Sequence, residues 1–162
     1  MKVLFVCTGN TCRSPMAEGY FNHLCRQAGA EWLSAESAGL YARPGSAPSP
    51  QATETMKRLG IDITAHRSTV LSPDLVQNAD RIIAMTESHR SGAAALFPAS
   101  AKKIRTLAEC GGTGVGKDIA DPFGGSLQTY QLCFEEMKQP LESLFLDLLS
   151  AHKREKSSFK IQ

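Results

Sequence analysis

Val3-Leu4-Phe5-Val6-Cys7-Thr8-Gly9-Asn10-Thr11-Cys12-Arg13-Ser14-Pro15 is the stretch that decides the fold. The unbroken apolar run within residues 2–6 predicts a strand buried on both faces, as in a parallel sheet. Met16, Ala17, Tyr20, Phe21, Leu24, Cys25 and Ala28 recur at helical spacing and predict a helix over 14–29, stopped by Gly29. Between strand and helix lies a tight loop. Gly9 turns without a Cβ penalty, and Asn10 tolerates left-handed backbone. Ser14 is a good N-cap, and Pro15 suits the first helical turn.

A loop at a helix N-terminus turns several backbone N–H groups toward one point, where the helix dipole adds partial positive charge; such a site binds phosphate. Thr8, Gly9, Asn10, Thr11, Cys12, Arg13 and Ser14 are therefore the candidate phosphate-binding residues. Arg13 can grip two oxygens through its planar fork. Cys7 falls beneath the phosphorus, where amides, dipole and guanidinium all favour thiolate; its pKa is expected below the free value of about 8.5. Cys7 thus reads as a nucleophile that takes up a phosphoryl group as a cysteinyl-phosphate. Nucleotide-binding glycine patterns are absent from this loop.

Outward from this unit, residues 32–38 read as a second strand, giving a right-handed βαβ crossover. The segment 40–50, rich in Pro, Gly, Ala and Ser, is either a surface loop or a wall of the cleft. Helices are predicted over 51–59, 73–78 and 87–96, strands over 81–85 and 103–107, and a long last helix over 127–151. Leu141, Leu144, Phe145, Leu148 and Leu149 give that helix a core-facing stripe. The alternation implies an α/β fold, a three-layer α/β/α architecture on a four-stranded parallel sheet. Ligands of such sheets bind at the carboxyl ends of the strands, where Cys7 falls.

The 162 residues fit one domain, 1–151, followed by a basic tail over 152–162 that reads as disordered. A net charge of +2 is too small to point to nucleic acid or a membrane as partner. Five cysteines with no C-x-x-C pair argue against a disulfide framework or a common zinc site and suit a reducing cytoplasm. The opening apolar run is too short for a signal peptide, and no stretch could span a bilayer. Nothing signals a metal or organic cofactor, and the chain is read as a monomer.

A second functional stretch lies at 110–126, glycine-rich around Asp118 and Asp121-Pro122-Phe123. It reads either as a surface loop or as the source of the acid that cysteine chemistry needs. An acid must protonate the leaving group, and a base must then activate water; one carboxyl can do both in turn. Asp121, stiffened by Pro122, is the candidate, and Asp118 the alternative. Phe123 offers an apolar wall. His66 reads as a structural histidine, since a site that already holds an aspartate does not require it.

Cys7-x5-Arg13-Ser14-Pro15 at the N-terminus resembles the low-molecular-weight protein tyrosine phosphatase family, with similarity from residue 2 to about 149. Thr11 and Asp121-Pro122-Phe123-Gly124-Gly125 look like the family's bacterial protein arginine phosphatase branch. The resemblance implies the family fold, a general acid at Asp121, and substrate-pocket positions at Leu40 and Tyr41. It also implies reversible redox protection through a Cys7–Cys12 link; a plain supporting role for Cys12 in the loop stays open. Many tyrosine phosphatases of the family carry a second aromatic residue where Gly124 stands, and usually isoleucine where Thr11 stands. A hydroxyl there suits a polar guanidinium, although it could instead brace its own loop. The implied activity is dephosphorylation of phosphoarginine in proteins, releasing inorganic phosphate, with phosphotyrosine as the alternative. Arsenate reduction, on a related fold with a Cys-x5-Arg loop, is a second alternative. It needs a relay of further cysteines, and Cys110 and Cys133 are poorly placed to supply one.

Overall fold

The computed structural model describes residues 1–111 and 117–159. Three glycines of the glycine-rich stretch, Gly112, Gly114 and Gly116, lie outside the described residues, as do tail residues 160–162. The sheet has four parallel strands: β1 (Lys2–Cys7), β2 (Ser34–Gly39), β3 (Arg81–Ala84) and β4 (Ile104–Thr106), ordered β2-β1-β3-β4. Strand order reverses beside β1, so a crevice opens at its carboxyl end. Cys7 is the last residue of β1 and pairs in register with Gly39.

Alternation along β1 builds both layers, because successive side chains leave opposite faces. Val3 and Phe5 enter a core shared with α1 (Arg13–Gln27), α2 (Pro50–Lys57), α5 (Leu107–Cys110) and α6 (Leu127–Phe159). There Phe5 meets the edge of Phe21 at 5.6 Å, and Phe21 meets Phe145 at 5.9 Å. Leu4 and Val6 enter a smaller core with residues of α3 (Pro73–Asn78) and α4 (Glu87–Leu96). Sheet plus two helical layers is the predicted three-layer arrangement.

Several boundaries differ from the sequence expectation, each for a local reason. Helix α1 begins at Arg13 on an N-cap, Cys12, that offers no side-chain bond; Ser14 is therefore not the cap, and its hydroxyl is spent elsewhere. At the other end Ala30 N bonds Cys25 O and Gly29 N bonds Arg26 O, with Gly29 at φ 61°, so the stop signal is obeyed. Strand β4 is shorter than predicted because Thr106 and Glu109 form a capping box that starts α5. A 3-10 turn over Pro98–Lys103 precedes it. Helix α6 runs to Phe159, so residues 152–159 are helical and not a disordered tail; Trp32 stacks on His152 at 3.8 Å.

The end of β2 lies hard against the Cys7 loop. A Cβ on Gly39 would sit 2.4 Å from Thr8 O and 3.0 Å from Asn10 N. Both are backbone atoms with nowhere to go, so a side chain here must displace the loop. Gly39→Ala is expected to cost about 1–3 kcal/mol in urea unfolding, the range for overpacking; unchanged stability would show that the loop yields freely.

Candidate active site

The Cys7 loop is held by Asn10, a wholly buried residue at φ 56°. Such backbone is costly unless the side chain is well bonded, and here it is. Asn10 Nδ2 donates to Ser14 Oγ (2.8 Å) and Ser37 Oγ (2.9 Å), while Oδ1 accepts from Thr69 N (2.8 Å). The Ser37 hydroxyl in turn donates a hydrogen bond to the Glu18 carboxylate. The Asn10 carbonyl meets His66 Nε2 at 2.9 Å, and His66 Nδ1 lies 3.6 Å from Glu18 Oε2. His66 therefore braces the loop from behind, as expected of a structural histidine.

Cys7 forms the floor, 3% exposed. Ser14 Oγ lies 2.9 Å from its sulfur, and Asn10 N donates to it at 3.3 Å. Burial pushes the thiol above its ordinary value, outweighing the downward pull of Ser14, the Asn10 amide and Arg13. The expectation of a lowered pKa is corrected on this point. The donors are present, but the sulfur lies deeper than an open loop would leave it, and desolvation dominates.

Arg13 is buried by α1 and aimed by two contacts. Its Nη1 donates to Ile119 O at 2.9 Å, and its Nη2 lies 3.5 Å from Asp121 Oδ2. Ile119 N in turn bonds Met85 O, beyond the end of β3, so the sheet positions the segment that carries Asp121. The Asp121 carboxylate is 55% exposed and accepts from Phe123 N at 3.2 Å. Gly124, at φ 75°, and a Gly125–Pro122 bond turn the chain sharply after it, and Gln51 of α2 reaches the Gly125 carbonyl.

Cys7 through Arg13, Asp121 and Phe123 line one cleft of about 240 Å³. Ser14 underlies it, at the sulfur. Phe123 is 77% exposed at the mouth. Leu40 is not brought there: its side chain packs with the Leu4–Val6 core, although its amide bonds Cys7 O. Tyr41 stands 78% exposed, its amide on Thr8 O. Asp118 is already engaged, accepting from Glu87 N at 2.8 Å at the start of α4. Cys12 is a free thiol whose sulfur faces Tyr130 Oη at 3.2 Å. Sequence reasoning missed Ser37, Thr69, Tyr130 and His89, because long-range hydrogen bonds leave no local pattern. Among the described residues no helix is long and apolar enough to cross a membrane, and no three His, Cys, Asp or Glu side chains could hold a metal together.

For His66, burial opposes the charged form, but the Glu18 carboxylate and the Asn10 carbonyl more than offset it, so the pKa is raised. A raised folded-state pKa stabilises fully below the unfolded value, about 6.5, and is lost as pH rises through the folded one. The melting-temperature advantage of wild type over His66→Gln should thus be largest below about pH 6.5 and shrink at higher pH. A difference independent of pH would exclude a charged His66–Glu18 pair.

The family model described as "Low molecular weight phosphotyrosine protein phosphatase" matches residues 2–157. The protein-arginine-phosphatase of Bacillus subtilis (strain 168) is 38% identical over 144 residues, 89% of this chain and 94% of the relative. A solved YwlE arginine phosphatase mutant with a phosphorylated active-site serine superposes with a TM-score of 0.86 at 37% identity, covering 91% of this chain and 95% of that one. A low molecular weight protein tyrosine phosphatase from T. tengcongensis superposes with a TM-score of 0.85 at 40% identity, over 91% and 99%. With a cysteine-floored anion loop, a facing carboxylate and a match spanning nearly its whole length, the chain belongs to the low molecular weight phosphotyrosine protein phosphatase family.

Proposed function

We propose that this phosphatase removes phosphate from phosphoarginine in proteins through a cysteinyl-phosphate on Cys7. One observation carries the chemistry: Cys7, Arg13 and Asp121 line the same cleft, with the sulfur at its floor and the carboxylate at its mouth. Substrate phosphate enters among the loop residues Thr8, Gly9, Asn10, Thr11 and Cys12, with Arg13 gripping its oxygens. A phosphoryl oxygen of the entering substrate takes the Cys7 proton, and the thiolate, held by Ser14 and the Asn10 amide, attacks phosphorus as the bond from phosphorus to the guanidinium nitrogen breaks. Protonated Asp121 gives its proton to the departing nitrogen, so arginine leaves neutral on that atom. Water then attacks the cysteinyl-phosphate, Asp121 takes its proton, and inorganic phosphate and the thiolate are restored. Burial of Cys7 gives each donor more weight than it has in water.

The substrate assignment rests on Thr11 and on the relatives named arginine phosphatases. Thr11 lines the cleft, and its hydroxyl makes no backbone hydrogen bond among the described residues; its recorded neighbour is Cys12 Sγ at 3.6 Å. That contact to sulfur is long and weak, so the Thr11 hydroxyl can turn from it toward a polar leaving group. The phosphotyrosine alternative keeps one argument, the exposed ring of Phe123 at the mouth, against which a flat aromatic leaving group could lie.

Cys7→Ser should abolish turnover of both substrates, and Asp121→Asn should lower kcat by about 10²–10⁴-fold, the usual worth of general acid–base catalysis. Wild type should show a higher kcat/KM on a phosphoarginine peptide than on its phosphotyrosine counterpart, and Thr11→Ile should erode that preference. A wild-type preference for phosphotyrosine, unchanged in Thr11→Ile, overturns the assignment.

A further inference from the structure

His89 belongs to α4, outside the cleft lining, yet it is only 7% exposed and its Nε2 lies 2.7 Å from Thr8 Oγ1. Arg13, Asp121 and Asp118 all lie near enough to act on it electrostatically. Burial, aided by Arg13, drives its pKa down to about 4, so the ring is neutral under ordinary conditions and carries one proton. That proton can be assigned. Nδ1 is buried with no hydrogen-bond partner among the described residues. A buried N–H without an acceptor is rarer than an unfilled lone pair. The proton therefore belongs on Nε2, which donates to Thr8 Oγ1, and the hydroxyl must turn its own proton away from His89. Thr8 is exposed and lines the cleft.

We infer that His89 is a positioning residue: by donating to Thr8 it fixes the Thr8 hydroxyl as a hydrogen-bond donor to a phosphoryl oxygen of the substrate. Without the imidazole the hydroxyl rotates freely and can as readily present its lone pairs to an anion, which repels it. Helix α4 then supports the site twice, since Thr86 and Asp118 also fix its first turn next to the segment leading to Asp121. This role presupposes the dephosphorylation proposed above.

The test uses the full chain with p-nitrophenyl phosphate as substrate and inorganic phosphate as competitive inhibitor, with melting temperatures recorded throughout. His89→Ala and Thr8→Val should each lower kcat/KM by about five- to tenfold, the worth of one hydrogen bond, and weaken phosphate inhibition in parallel. The double variant should be no worse than either single one, because both remove the same donor. His89→Gln, whose amide nitrogen reaches the Nε2 position, should recover most of the loss, whereas His89→Asn, which reaches only the Nδ1 position, should not. Additive losses, or equal behaviour of Gln and Asn, assign His89 to packing alone and overturn the inference. If His89→Ala does not fold, His89→Gln and His89→Asn, each with and without Thr8→Val, decide the matter: Gln must lose its advantage over Asn once the hydroxyl is gone. An inactive wild type, or an active Cys7→Ser, instead sinks the underlying phosphatase mechanism and is told apart by those two controls.

Discussion

Asn10 is the constraint on which the site depends. A non-glycine residue in left-handed backbone is unfavourable by about 1–2 kcal/mol, and full burial of its amide would add to that if any polar atom lacked a partner. None does. Its side chain bonds Ser14, Ser37 and Thr69, its amide donates to the Cys7 sulfur, and its carbonyl meets His66. The left-handed turn brings the amide back over the sulfur three residues earlier. The side chain ties the loop to β2, to α1 and to the segment after His66. Such a network holds one conformation firmly because every alternative leaves a buried polar group unpaired. The loop proposed to take phosphate is thus held by its own contacts, which is what electrostatic stabilisation of a transition state requires.

The same burial sets a conflict at Cys7. A sulfur deep enough to be surrounded by donors is also deep enough to lose solvation, and for the thiol considered alone the second effect wins. Ser14 is the residue that moderates it. Had Ser14 capped α1, its hydroxyl would have answered a backbone amide; with Cys12 as an uncapped N-cap, the hydroxyl is released to the sulfur. The helix thus gives up a capping bond of about 1 kcal/mol and gains a donor at the proposed nucleophile. A stability rule is broken locally where the proposed chemistry would use the group.

The fold was legible because its signals are local and periodic. The apolar run at Val3–Val6, the stop at Gly29 and the stripe Leu141–Leu148 each act within a few residues, and all are obeyed. The capping box Thr106–Glu109 went unread, and it explains why β4 ends before the predicted residue 107. The candidate site was legible in three residues that line its cleft, since Cys7 and Arg13 share one loop and Asp121 has a Pro anchor. It was not legible in its supports. Ser37, Thr69 and His89 lie 27 to 81 positions from the loop residues they bond, and only the strand order brings them there. Leu40 lies outside the cleft lining for a related reason. It follows β2 directly, and the direction in which the chain leaves that strand sends its side chain to the Leu4–Val6 core.

In the proposed reaction, specificity and catalysis fall on different parts of the cleft. The floor is committed: sulfur, Ser14, Asn10 and Arg13 are all engaged in fixed contacts. The rim is not. Thr11 keeps a hydroxyl with no backbone partner among the described residues, Phe123 stands exposed, and Gly124 has open space around its α-carbon. A phosphate reader can change its leaving group by altering residues of the second kind while keeping those of the first. One relative named an arginine phosphatase and another named a tyrosine phosphatase superpose almost equally well on this chain. Backbone likeness therefore cannot separate the two substrates. A planar cation asks for hydrogen-bond acceptors and hydroxyls, and an aromatic ring asks for flat apolar walls. In this cleft the Thr11 hydroxyl and the Asp121 carboxylate stand beside the ring of Phe123, and the proposed substrate would use the first two.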